Sequence, residues 1–174
     1  AVESRPVRPA ARGAWLTVLL SAAACSVEVA PPASRTPTAA DTTLILTELR
    51  GYYRALSARD WKAFASHFWP GAGLTTVWQP AGEAARRVVT TSVPEFVAQA
   101  PLGPGSRSVF EETLLDARIR TVGDLAQAWV RYQARFGDPG DISEWEGVDA
   151  FTLLRHAGRW RIVALAYVAT NGGP

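Results

Sequence analysis

Residues 111–170 read EETLLDARIRTVGDLAQAWVRYQARFGDPGDISEWEGVDAFTLLRHAGRWRIVALAYVAT, and their patterning decides the fold. Within 125–136 the side chains alternate between Ala126, Ala128, Val130, Tyr132, Ala134, Phe136 and Gln127, Trp129, Arg131, Gln133, Arg135. Successive side chains of a strand point to opposite faces, so this is a half-buried strand with the first set on the core. The same reading gives strands at 111–122, 145–156 and 159–170. Turn residues separate them: Gly123-Asp124, the run Gly137-Asp138-Pro139-Gly140-Asp141, and Ala157-Gly158. Four strands joined by tight turns make an antiparallel meander. The last strand is apolar on both faces, with Ile162, Ala164, Ala166 and Val168 on one and Val163, Leu165 and Tyr167 on the other. A strand of that kind needs two covers; one is a helical layer, the other a second copy of the chain.

The helical layer lies before the meander. Asp41 is placed to cap a helix whose apolar positions Ile45, Leu49, Tyr52, Tyr53 and Leu56 recur with helical spacing. Asp60 caps a second, shorter helix carrying Trp61, Phe64, Ala65 and Phe68, and Pro70-Gly71 is expected to stop it. A strand over 74–78 and a Gln79-Pro80-Ala81-Gly82 turn follow. Ser92-Val93-Pro94-Glu95 is a capping box for a short helix with Phe96 and Val97, ended by Pro101, Gly103, Pro104 and Gly105. Helices first and an antiparallel sheet afterwards predict an α+β domain in which a curved sheet wraps the helices.

Upstream, Arg5, Arg8 and Arg12 precede the apolar stretch Trp15 to Leu20 and the small residues Ser21 to Ala24. That is the layout of a secretory signal over residues 1–24. Ala22-Ala23-Ala24-Cys25 resembles the lipobox of bacterial lipoproteins, so Cys25 is a candidate for lipidation, with an ordinary signal peptide as the alternative. Residues 25–40, with Pro31, Pro32 and Pro37, have no periodic apolar face and read as a tether. The domain itself is placed at 41–171, with 172–174 as a tail. The expected location is the cell envelope or outside it, with membrane association only through the lipid.

Composition narrows the function. The chain has 174 residues, one cysteine and a formal charge of +2. Without residues 1–24 it carries 15 basic and 15 acidic residues, interspersed, so a nucleic-acid partner is not expected. One cysteine leaves no disulfide framework and no cysteine-based zinc site, and neither metal nor cofactor is expected. There is no Gly-x-Ser-x-Gly elbow, no phosphate-cradling glycine loop and no His-Glu-x-x-His.

The helix-turn-helix segment Tyr53-Arg54-Ala55-Leu56-Ser57-Ala58-Arg59-Asp60-Trp61 with Phe64 and Phe68, and the ending Gly158-Arg159-Trp160-Arg161-Ile162-Val163, resemble the nuclear transport factor 2-like superfamily. That superfamily includes ketosteroid isomerases, scytalone dehydratase and the SnoaL polyketide cyclases. The resemblance covers residues 41–171 and implies a cone with a cavity between helices and sheet; it does not by itself assign a function. It would put an isomerase-type base at the residue before Pro80, which here is Gln79, and an amide cannot accept that proton.

The other ionisable candidates are His67 on the second helix, His156 at a hairpin end, Asp149, Glu112, Asp116 and Arg131 on strands, and Tyr53 and Tyr132. Asp149 alternates with Gly147, Phe151 and Leu153, so an inward face would bury its carboxyl and raise its pKa; the competing reading pairs it with Arg131 across the strands. The leading expectation is a noncatalytic domain binding a small apolar or aromatic ligand through Tyr53, Trp78, Phe96, Tyr132 and Asp149. An isomerase, dehydratase or cyclase using Asp149 or His67 as acid or base is the first alternative, and a structural module that dimerises is the second. Of the tryptophans, Trp61 and Trp160 are assigned to the core; Trp69, Trp78, Trp129 and Trp145 are left to a pocket or an interface. A homodimer through the outer sheet face is the expected assembly.

Overall fold

The computed structural model describes residues 38–79 and 84–171. The signal-like segment, Cys25, most of the tether and the 172–174 tail lie outside the described residues. Helix α1 spans Ala39–Ser57 and α2 Trp61–Ser66. Strand β1 (Phe68–Trp78) pairs with β2 (Arg87–Ser92), which leads into α3 (Val93–Gln99) and a single 3-10 turn, Ala100–Leu102. The meander follows as β3 (Val109–Val122), β4 (Leu125–Asp138), β5 (Asp141–His156) and β6 (Arg159–Asn171). All six strands form one sheet in the order β2-β1-β6-β5-β4-β3. The helices pack on its inner face. Every neighbouring pair is antiparallel except β1 with β6, which is parallel.

The caps follow their chemistry, with one shift. Thr38, not Asp41, is the N-cap of α1: its Oγ1 accepts from the Asp41 amide at 3.1 Å, so Asp41 lies in the first turn, where its charge suits the positive end of the helix dipole. The helix therefore takes up Ala39 and Ala40 from the segment read as tether. Asp60 caps α2 as expected, accepting from Ala63 N at 2.9 Å. Ser92 and Glu95 form the reciprocal capping box of α3, with bonds of 3.3 Å from Glu95 N and 2.7 Å from Ser92 N.

Three readings of the chain are corrected. Helix α2 stops at Ser66 and Phe68 opens β1, so Pro70 and Gly71 fall within a strand; the pairing with β6 jumps from Phe68 to Gly73, which accommodates a proline without an amide donor and the positive φ of Gly71. Strand β2 was not expected, because its short half-exposed run carries no strong alternation. The last strand does not alternate strictly: its pairing with β5 steps from Ile162 to Ala164, leaving Val163 as an extra residue. Beyond that bulge the faces exchange, so buried Ile162 lies on the same side as buried Leu165, while Ala164, Ala166 and Val168 turn outward.

In β4 the alternation holds without a break through Ala134. Ile45, Leu49, Phe64, Val130, Phe151, Leu153 and Ile162 are fully buried and form the centre of the core between α1, α2 and the sheet. Trp160 is in the core and Trp61 packs against it.

Candidate functional site

Between this core and the open end of the sheet the packing leaves a cavity of about 240 Å³. Tyr52 and Leu56 of α1 and Phe96 of α3 form its roof, and five strands supply the floor and walls. Two carboxyls face it, Glu112 from β3 and Asp149 from β5; the rest of the wall is apolar or aromatic, including Tyr132, Trp145 and Tyr167. A wider space of about 500 Å³ adjoins it at the mouth, sharing Phe96, Glu112, Tyr132, Trp145 and Tyr167 and extending to Trp78 and Leu102.

Asp149 is 2% exposed. It shares the inward face of β5 with Gly147, Phe151 and Leu153, all buried. The Tyr53 hydroxyl donates to Asp149 Oδ2 at 2.5 Å, linking α1 to the middle of the sheet. The ion pair with Arg131 does not form. Arg131 sits opposite Val148 on the outer face and bonds Glu146 at 3.0 Å, because one step along a strand changes faces. Burial raises the Asp149 carboxyl to about 7, and the Tyr53 bond, which favours the charged form, opposes part of that rise. Glu112 is raised to about 8, first by burial and then by the neighbouring charge of Asp149. Its backbone is fixed to α1, since Ser57 Oγ donates to Glu112 O at 3.0 Å and accepts from Glu112 N at 2.9 Å.

The tyrosines around these acids remain hydroxyls. Burial, followed by the charge of Asp149, raises Tyr52 and Tyr53 far above the ordinary phenol range. Tyr167 is raised to about 12 by burial, then by Glu112 and Asp149. Tyr132 also moves up through burial, with a hydrogen bond from the Trp145 side chain acting against it. Tyr132 lies flat across β5 because its register partner is Gly147: a Cβ there would come within 2.3 Å of the Tyr132 ring. The glycine is what lets the phenol reach the cavity.

The residues expected at the site do not all meet. Asp149, Phe96 and Tyr132 line the inner cavity, Tyr53 holds Asp149 from behind, and Trp78 stands 43% exposed at the outer mouth. His67 lies elsewhere, against Gly51, with Nδ1 2.9 Å from Glu48 Oε1. Gln79 is exposed beyond the end of β1, and His156 is exposed, edge-on to Trp69 at 5.5 Å. Tyr52, Tyr167 and the pairing of Glu112 with Asp149 were not foreseen. Tyr167 is opposite Asp149 in the register, but the bulge at Val163 hides this from simple alternation.

No sequence family and no curated protein matches the chain. Solved structures do. A Nostoc punctiforme protein of unknown function with a cystatin-like fold superposes with TM-score 0.63 at 13% identity, over 80% of this chain and 98% of its own. The chain has the nuclear transport factor 2-like, or cystatin-like, cone fold. A nuclear transport factor 2-like protein from Novosphingobium aromaticivorans gives TM-score 0.60 at 15% identity, over 77% and 84%. The β subunit of benzoate 1,2-dioxygenase from Burkholderia mallei gives 0.59 at 14%, over 79% and 93%. Identities this low speak for the nuclear transport factor 2-like fold and not for a shared activity.

Proposed function

We propose that this domain binds a small, largely apolar ligand with one polar end, held in the cavity between α1, α3 and the sheet. The observation that carries the reading is a buried Asp149 carboxyl, bonded to Tyr53 at 2.5 Å, at the wall of an otherwise aromatic cavity. A few convergent polar groups in an apolar concavity suit the capture and orientation of a small molecule. The exported location and the lipid on Cys25 belong to this proposal and rest on the sequence alone; mass spectrometry of the mature N-terminal peptide tests them, and an unmodified cysteine would remove the anchor.

A second reading, acid–base catalysis of an isomerase or dehydratase kind, is favoured by one specific feature. Asp149 at about 7 and Glu112 at about 8 each keep a substantial share of both protonation states near neutrality, as a general acid and base require. His67 does not share in it, being turned to Glu48 away from the cavity. Native mass spectrometry of protein taken from its own envelope, followed by Asp149→Asn and Glu112→Gln variants, separates the two. A bound molecule recovered unchanged supports binding. Conversion that disappears in either variant while the molecule is still held transfers the assignment to catalysis.

A further inference from the structure

We propose that the polar end of the ligand is an amine or another organic cation, seated between the carboxyls of Glu112 and Asp149 and the aromatic rings around them. This rests on the cavity being the binding site. Three features of that cavity lead to the cation.

The first is charge. The inner cavity is lined by no Arg, Lys or His among the described residues, although the chain has 18 basic residues, and at the outer mouth Arg87 stands over the Trp78 ring at 6.0 Å. The groups facing the two acids are the hydroxyls of Tyr52 and Tyr53 from α1, Tyr132 from β4 and Tyr167 from β6, and among the described residues no positive group offsets the acids. An anionic ligand would place like charges together in a low dielectric.

The second is hydrogen-bonding capacity. Tyr53 already donates to Asp149, which fixes that carboxyl as an acceptor, and no described side chain donates to the Glu112 carboxyl. The donors in the wall are neutral phenol and indole groups, so the Glu112 carboxylate, once ionised, has no charged donor to accept from. An ammonium brings several donors and a charge, whereas a hydroxyl brings one donor and a carbonyl none.

The third is the wall. Tyr52, Phe96, Tyr132, Trp145 and Tyr167 surround the same space, and aromatic faces attract a desolvated cation in addition to taking up an apolar body. A cation entering the cavity supplies the charge partner that the two carboxyls lack, so it binds best where they are ionised.

The test titrates the full chain with benzylamine, benzyl alcohol and benzoate, at about pH 6 and about pH 8.5, following the Tyr132 and Trp145 resonances by NMR. Benzylamine should tighten roughly tenfold between the two pH values as the carboxyls lose their protons, and exceed benzyl alcohol at the higher one. Benzoate should not bind there. Glu112→Gln should remove most of the preference for benzylamine over benzyl alcohol. Benzyl alcohol binding as tightly as benzylamine at the higher pH overturns the cation while leaving the cavity as a ligand site, and so does a benzylamine affinity that does not change with pH. If none of the three moves the Tyr132 and Trp145 resonances, both the cation and the binding reading fail. The wild-type comparison needs no variant, so a poorly folded Glu112→Gln protein leaves the test intact.

Discussion

Asp149 shows both what a sequence discloses about a residue and where it stops. Its alternation with Gly147, Phe151 and Leu153 offered an inward face with a raised pKa as one reading and a pair with Arg131 as the other. Its partner was not legible: Arg131 is near in the strand register but on the other face, while Tyr53 comes from a helix 96 residues earlier. Glu112 carries the residue-scale prediction. Its folded pKa is above the unfolded value, as is that of Asp149. The folded chain therefore holds protons that the unfolded chain releases between about pH 4 and about pH 8, and stability falls as pH rises through that window. Replacing Glu112 with Gln removes its share of the loss. We expect Tm of the variant to exceed wild type by roughly 3–6 °C at about pH 8.5 and to differ little at about pH 5, read by thermal denaturation. Equal values at both pH would mean that Glu112 titrates like an exposed glutamate.

At the scale of elements, hydrophobic period and turn chemistry located the meander and the capping residues closely, because both are local. The irregular pairings escaped. The bulge at Val163 and the passage of Pro70 through β1 depend on which strand lies alongside, and the parallel β1–β6 contact joins segments at opposite ends of the domain. Gly147 links an element to the site. An added methyl at this position meets Tyr132 at 2.3 Å, so Gly147→Ala forces the phenol off β5. The expected cost is about 1–3 kcal/mol in chemical denaturation, together with a changed Tyr132 environment in the NMR spectrum. An unchanged ring signal would show that β5 yields instead of the ring. At Gly51 the methyl would meet His67 Cε1 at 2.7 Å, but that atom belongs to a side chain able to swing aside, so Gly51→Ala should cost less and leave the cavity untouched.

For the molecule as a whole, the layered α+β architecture was legible because two helices precede a long four-stranded meander, but a cavity is a difference between large volumes and no local pattern measures it. The outer sheet face adds a prediction at this scale. Trp129 is 61% exposed and Val168 43%, with Val148, Ala150 and Ala166 between them, and they form an apolar surface that we propose is covered by a second copy. Light scattering at micromolar concentration should give a dimer, and Trp129→Arg a monomer; a monomeric wild type removes the proposal. The central claim concerns the inner face, where the buried carboxyl of Asp149 and the half-buried carboxyl of Glu112 are proposed to take the polar end of a ligand. It is tested most directly by a carboxyl-carbon NMR titration of Asp149 and Glu112 with and without benzylamine. The account predicts midpoints for the coupled pair near 7 and 8 in the free protein, both moving down when benzylamine is bound. Midpoints close to the ordinary carboxylate value near 4, with no response to benzylamine, would contradict it.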